Sequence, residues 1–142
     1  MTFFRLLLIA ALIAGGVHFW KKHQNKQEQV AVTSPSGFVP VLMPDGAVRN
    51  EVLVFAPVNC PKEGAQRARA LSASLTDRGI PNTISSNFSI ASITPGPDTE
   101  AALKRLDVVM RGEVPIVLVN GMGKANPSLE DVVDEVKRAK KR

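Results

Sequence analysis

Short apolar runs alternate with amphipathic helical stretches along residues 51–142, and this alternation decides the class of fold. Glu51–Ala56 and Val114–Val119 are continuous apolar runs, typical of strands that are buried on both faces. Asn82–Ser86, with an extension to Ile90 left open, is a further strand candidate. Strands that are separated by helices imply parallel pairing through crossovers for the first two. The sequence therefore predicts an α/β domain.

Three helices are predicted, one after each strand candidate. The first covers residues 61–78, with one face turned inward (Ala65, Ala68, Leu71 and Leu75) and the other turned to water (Gln66, Arg67, Arg69 and Asp77). The second is predicted to be capped by Asp98 and to run to about Arg111. The third starts near Ser128, with Ser128 or Asn126 as its cap, and Asn120–Gly121 before it is a hairpin signal.

The N-terminus predicts a membrane element. An apolar run from Leu6 to Trp20 follows Arg5, and Lys21 and Lys22 come directly after it, which is typical of an uncleaved single-pass anchor or signal-anchor over residues 1–22. Cleavage as a signal peptide is the alternative. Basic residues flank both ends of this segment. The sequence therefore allows the domain to lie on either the periplasmic or extracytoplasmic side or the cytoplasmic side of the membrane. Residues 23–37 are predicted to be a flexible polar linker, and residues 38–142 to be the domain.

Charge and cysteine content narrow the classes of function. The formal net charge is +5, and the C-terminal KRAKKR alone carries five positive charges, which favours a solvated helix end. Nucleic acid is not predicted as a partner; binding of the basic tail to an anionic surface is a minor alternative. One cysteine excludes an intrachain disulfide and a cysteine-based zinc cluster. No metal site is predicted.

Three motifs resemble the thioredoxin-like superfamily, and glutaredoxins within it most closely. VLVFAPVNCP, residues 52–61, is similar to the family's strand, loop, Cys-Pro and helix start. LTDRGIP, residues 75–81, resembles the turn before the second glutaredoxin strand, and EVPIVLVNG, residues 113–121, resembles the strand that begins with a cis proline. The resemblance implies a thioredoxin-like, three-layer domain behind the membrane helix.

The resemblance also implies a site. Cys60 would be the nucleophile, Pro115 would be cis and face it, and Pro61, Lys62 and Val114 would contact the substrate. The sequence departs from the family in two places. Glu63 stands where the family has a second cysteine or a serine, and MGKANPS, residues 122–128, replaces the fourth strand and the Gly-Gly turn that hold glutathione. The fourth strand is therefore expected to be vestigial.

Two functions follow from these residues. The first is a single-cysteine thiol–disulfide oxidoreductase that uses Cys60 on a protein thiol or an extended peptide segment. The second is a redox-inactive, protein-binding module within a membrane-associated assembly. No cofactor is predicted, with glutathione as the alternative that the family implies.

Overall fold

A mixed five-stranded sheet forms the centre of the domain. The computed structural model describes residues 33–57, 62–91 and 93–141. In chain order the strands are β1 Val39–Pro40, β2 Val52–Phe55, β3 Asn82–Ser85, β4 Ile116–Val119 and β5 Met122–Ala125. Their order across the sheet is β1-β5-β4-β2-β3. The α/β prediction is confirmed.

The pairing of the strands follows their connections. β2 and β3 are parallel, as the crossover argument predicts, and β4 is antiparallel to β2. β4 and β5 form a hairpin whose turn, Asn120–Gly121, has φ angles of 47° and 80°, the left-handed geometry of a tight hairpin. The expectation of a vestigial fourth strand is wrong, because β5 pairs with β4 along its whole length and also carries β1 on its other edge.

Helix α1, Glu63–Asp77, buries the predicted apolar stripe of Ala65, Ala68, Leu71 and Leu75. Gly79 follows the C-cap residue Arg78 and has a φ of 68°, which suits glycine, and the Ile80 N–H donates to the Leu75 carbonyl oxygen at 2.9 Å. Helix α3, Leu129–Lys140, begins with a capping box between Ser128 and Asp131, which decides between the two predicted caps.

Helix α2, Pro97–Met110, begins earlier than predicted. Gly96 occupies the N-cap position and Pro97 lies in the first turn, where a proline loses no helical hydrogen bond. Asp98 is therefore not the cap. Its carboxylate lies in the first helical turn, next to the positive end of the helix dipole.

The helices cover the two faces of the sheet, so the domain has three layers. On one face α1 and α3 pack against alternate strand residues in a core that includes Val52, Val54, Val117 and Val119. On the other face α2 packs against the intervening residues, which include Phe55, Ile116 and Leu118. This alternation explains why both central strands are apolar throughout.

The compact unit begins at Ser34 rather than at the predicted boundary, Phe38. Phe38 is fully buried in the core under α1 and α3. The Ser34 side chain accepts a hydrogen bond from the Phe38 N–H at 2.9 Å, and Ser36 donates to a carboxylate oxygen of Glu135 at 2.7 Å. The segment Ser34–Phe38 is thus part of the folded domain.

The predicted anchor, residues 1–22, lies outside the described residues. Within residues 33–57, 62–91 and 93–141, no helix is long and apolar enough to cross a membrane.

Candidate functional site

The end of β2 and the start of β4 meet at one end of the sheet. Phe55 pairs with Ile116, so the chain that leaves β2 runs beside Pro115 and Val114. Pro115 is buried, and the peptide bond between Val114 and Pro115 is cis, the geometry that the family resemblance implies. The segment before β4 therefore lies beside Ala56 and Pro57, the described residues that follow β2.

A cleft of about 390 Å³ lies at this junction. We call it the Val114 cleft; it is lined by Pro57, Lys62, Gly64, Ala65, Arg67, Gly112, Glu113 and Val114. Pro57 and Lys62 are the described residues on either side of residues 58–61. Pro57 and Lys62 both line the cleft, while Cys60 and Pro61 lie outside the described part of the chain.

Gly64 lets α1 approach the cleft wall closely. A Cβ atom at Gly64 would lie 3.2 Å from the Val114 Cβ atom, tighter than ordinary van der Waals contact. The cleft therefore depends on the absence of a side chain at this position. Sequence patterns miss this role, because an isolated glycine in a helical stretch signals only reduced helix propensity.

Arg67 joins α1 to the segment before β4. Its guanidinium donates to Glu63 at 2.8 Å, to Glu113 at 2.5 Å and to the Val114 carbonyl oxygen at 2.9 Å. The prediction that Arg67 faces water therefore holds only in part. Its side chain is 36% exposed, because Glu113 and Val114 reach over it from a distant part of the sequence.

The charges around the cleft are balanced. Two cations, Lys62 and Arg67, lie with two carboxylates, Glu63 and Glu113, and Arg67 pairs with both carboxylates. Lys62 is exposed and occupies the N-cap position of α1, where its side chain makes no capping hydrogen bond. The cleft consequently suits a neutral group better than an anionic one.

The predicted site residues divide into two groups. Lys62 and Val114 line the Val114 cleft, and Pro115, which follows Val114 in the chain, is buried and does not line it. Cys60 and Pro61 are outside the described residues, so their predicted roles stay predictions. The same cleft is also lined by three residues that the sequence does not predict as site residues: Gly64, Arg67 and Glu113. No sequence pattern indicates them, because only the fold brings residues 63–67 and 112–114 together.

Metal ligands do not gather anywhere in the described ranges: no group of three or more His, Cys, Asp or Glu side chains there could hold an ion. Comparison with protein-family models, with curated proteins and with solved structures finds no match for this chain.

Proposed function

We propose that the chain is a membrane-tethered, glutaredoxin-like protein of the thioredoxin-like superfamily that exchanges disulfides through Cys60. The observation that carries this proposal is the Val114 cleft, which Pro57 and Lys62 border from either side of the Cys60 segment. The strand order and the helices on both faces of the sheet agree with this fold assignment. Residues 1–22 would supply the tether.

The chemistry is thiol–disulfide exchange. The Cys60 thiolate attacks one sulfur of a partner disulfide, a new Cys60–partner disulfide forms, and the other partner sulfur leaves as a thiolate, so the partner disulfide is itself the oxidant of this step. Because the chain has one cysteine, an external thiolate completes the exchange: it attacks the partner sulfur of the mixed disulfide, forms a new disulfide with the partner and expels the Cys60 thiolate. Cys60 stands just before α1, and backbone N–H groups at a helix start favour a thiolate.

A protein segment is a better partner for this cleft than glutathione. Glutathione carries two carboxylates that would need cations in the cleft. Of the two cations there, Arg67 is already paired with Glu63 and Glu113. The Val114 N–H donates to no residue in the described ranges, and we expect it to donate to a backbone carbonyl of an extended partner chain. We therefore expect an extended peptide with a small apolar side chain beside its cysteine.

The second candidate function is a redox-inactive, protein-binding module that uses the same cleft. The observation that favours it is Glu63, which stands at the position of the family's second cysteine and is bound to Arg67. In this function the partner segment would bind beside Val114 without a covalent step.

Covalent capture separates the two functions. The full chain is incubated with a short extended peptide whose cysteine carries a thiopyridyl disulfide, and the mass of the protein is measured. The oxidoreductase predicts a peptide adduct on the wild-type protein and none on Cys60→Ser, at a rate above that of free cysteine with the same peptide. A rate no higher than that of free cysteine, with peptide binding retained by Cys60→Ser, would instead identify the module.

A further inference from the structure

The segment before β4 is held firmly on its β5 side. A Cβ atom at Gly112 would lie 2.3 Å from the Ala125 Cβ atom, so the two backbones are in close contact. The Asn126 side-chain amide donates to Glu113 at 3.1 Å, and the Asn126 backbone N–H donates to the Pro115 carbonyl oxygen at 2.7 Å. These contacts fix the segment to the end of β5.

Arg67 holds the same segment from the α1 side. It binds the Glu113 carboxylate and the Val114 carbonyl oxygen with one nitrogen, and it binds Glu63 in its own helix with another. The five donors of a guanidinium lie in a rigid plane, so this arrangement sets the spacing between α1 and Val114. A lysine could reach one of these acceptors but could not bind all three in the same geometry.

The Nε atom of Arg67 is buried and has no hydrogen-bond partner in the described part of the chain. A buried donor without a partner lowers stability, and the ion pairs of a partly exposed arginine add little to it. An apolar side chain of similar length would avoid this cost. The presence of an arginine here is therefore better explained by what it holds in place than by stability alone.

From these contacts we infer that Arg67 is a positioning residue of the disulfide-exchange site. Arg67 occupies the Val114 carbonyl oxygen, so the N–H is the backbone group of Val114 that we expect to pair with the partner, and Val114 itself lines the cleft. The site then accepts a partner through one backbone carbonyl. This inference rests on the proposed function and adds how the site distinguishes a peptide from a small disulfide.

The test compares two disulfides that release the same leaving group. One is 2,2′-dithiodipyridine, which is small and has no peptide backbone; the other is the thiopyridyl peptide described above. Both release pyridine-2-thione when the Cys60 thiolate attacks, so one absorbance signal reports both rates. The ratio of the peptide rate to the dithiodipyridine rate is the readout, because general loss of folded protein lowers both rates and leaves the ratio unchanged.

Arg67→Met removes all three hydrogen bonds but keeps the length of the side chain, and we expect it to lower the ratio about tenfold, the effect of one lost hydrogen bond. Arg67→Lys should give an intermediate ratio. It keeps a positive charge at this position and provides a second measurement if Arg67→Met does not fold. Arg78→Met is the matched control: it removes an arginine from the opposite end of α1, where the guanidinium binds Glu130 at 2.7 Å, and it should keep the wild-type ratio.

An unchanged ratio in both Arg67 variants, with a reactive Cys60, would overturn the role of Arg67 alone. A proportional loss of both rates would also overturn it, because that pattern belongs to a general effect on the thiol or on folding. A wild-type Cys60 that is inert toward both disulfides would overturn the proposed function, and the role of Arg67 with it.

Discussion

Glu135 is a buried carboxylate whose partners explain how the start of the domain is held. Its side chain is 2% exposed, and it accepts hydrogen bonds from Ser36 and from Arg138. Burial raises the pKa of Glu135, but the hydrogen bonds from Arg138, Ser36 and Ser34 together outweigh it, so the pKa lies below the ordinary glutamate value. The ionised carboxylate thus ties the Ser34–Gly37 segment to α3.

Because the pKa of Glu135 is lowered in the folded state, its charge stabilises the fold above the unfolded glutamate pKa of about 4.3. That contribution is lost as the pH falls through the lower, folded-state pKa. We expect Glu135→Gln to lower the free energy of unfolding at pH 7, and the difference from wild type to shrink below about pH 4.3. Urea unfolding at a series of pH values measures this difference.

Asp134→Asn is the control for this measurement, since the Asp134 side chain is exposed and binds no described residue. It should stay close to wild type across the whole pH range. A deficit of Glu135→Gln that is the same at pH 7 and at pH 3 would show that the ionised carboxylate does not stabilise the fold.

At the scale of elements, the helices and strands follow from sequence patterns, whereas the wall of the cleft does not. The α1 stripe and the two central strands are predicted because burial on one face or on both faces leaves a periodic signature. Arg67 and Glu113 form their contact only after the chain folds, since 46 positions separate them. No local periodicity encodes such a contact, so the sequence assigns Arg67 to the solvent.

The close contact between Gly112 and β5 allows a test of how tightly the segment before β4 packs against the sheet. Gly112→Ala would place a Cβ atom 2.3 Å from the Ala125 Cβ atom and 3.0 Å from the Val109 carbonyl oxygen. Overpacking of this kind costs about 1–3 kcal/mol of unfolding free energy. We expect the double variant Gly112→Ala, Ala125→Gly to recover part of that loss in chemical denaturation.

Gly96→Ala is the matched control, because the nearest atom to a Cβ there is 3.9 Å away and the backbone is extended. It should leave the free energy of unfolding within about 0.5 kcal/mol of wild type. Equal losses in Gly112→Ala and Gly96→Ala, or no recovery in the double variant, would contradict the close packing of Gly112 on β5.

Gly64→Ala tests the cleft itself. The new methyl group would lie 3.2 Å from the Val114 Cβ atom and would narrow the cleft, while alanine favours the helix by up to about 1 kcal/mol over glycine. We expect the protein to stay folded and the peptide rate to fall more than the dithiodipyridine rate. A peptide rate equal to wild type would show that the partner does not enter this cleft.

At the scale of the whole molecule, the folded domain begins with a short, partly buried segment, Ser34–Phe38, which forms its junction with the preceding chain. Ser34 is buried, and Lys124 donates to the Ser36 carbonyl oxygen at 2.9 Å, so the junction is bonded to β5 as well as to α3. Phe38 then fills the core under α1 and α3. The polar composition of residues 23–37 suggests a linker throughout, because short serine-rich stretches give no sign of a buried network.

Phe38→Ala tests whether this junction stabilises the domain. Truncation of a fully buried phenylalanine costs about 3–5 kcal/mol, and each kcal/mol lowers the Tm of a domain of this size by about 4–8 °C. Phe88→Ala is the control, since Phe88 is only partly buried and packs edge-on against Phe55 with ring centroids 5.6 Å apart. A Tm loss for Phe38→Ala no larger than that for Phe88→Ala would show that the junction contributes little.

The proposed disulfide exchange requires Cys60 to be an active thiolate. This requirement is tested most directly by the alkylation rate of Cys60 with iodoacetamide against pH, with Cys60→Ser as the blank. The chain has one cysteine, so the signal belongs to one residue. We predict an apparent pKa well below the free-cysteine value of about 8.5; an apparent pKa at or above that value would contradict the disulfide-exchange function.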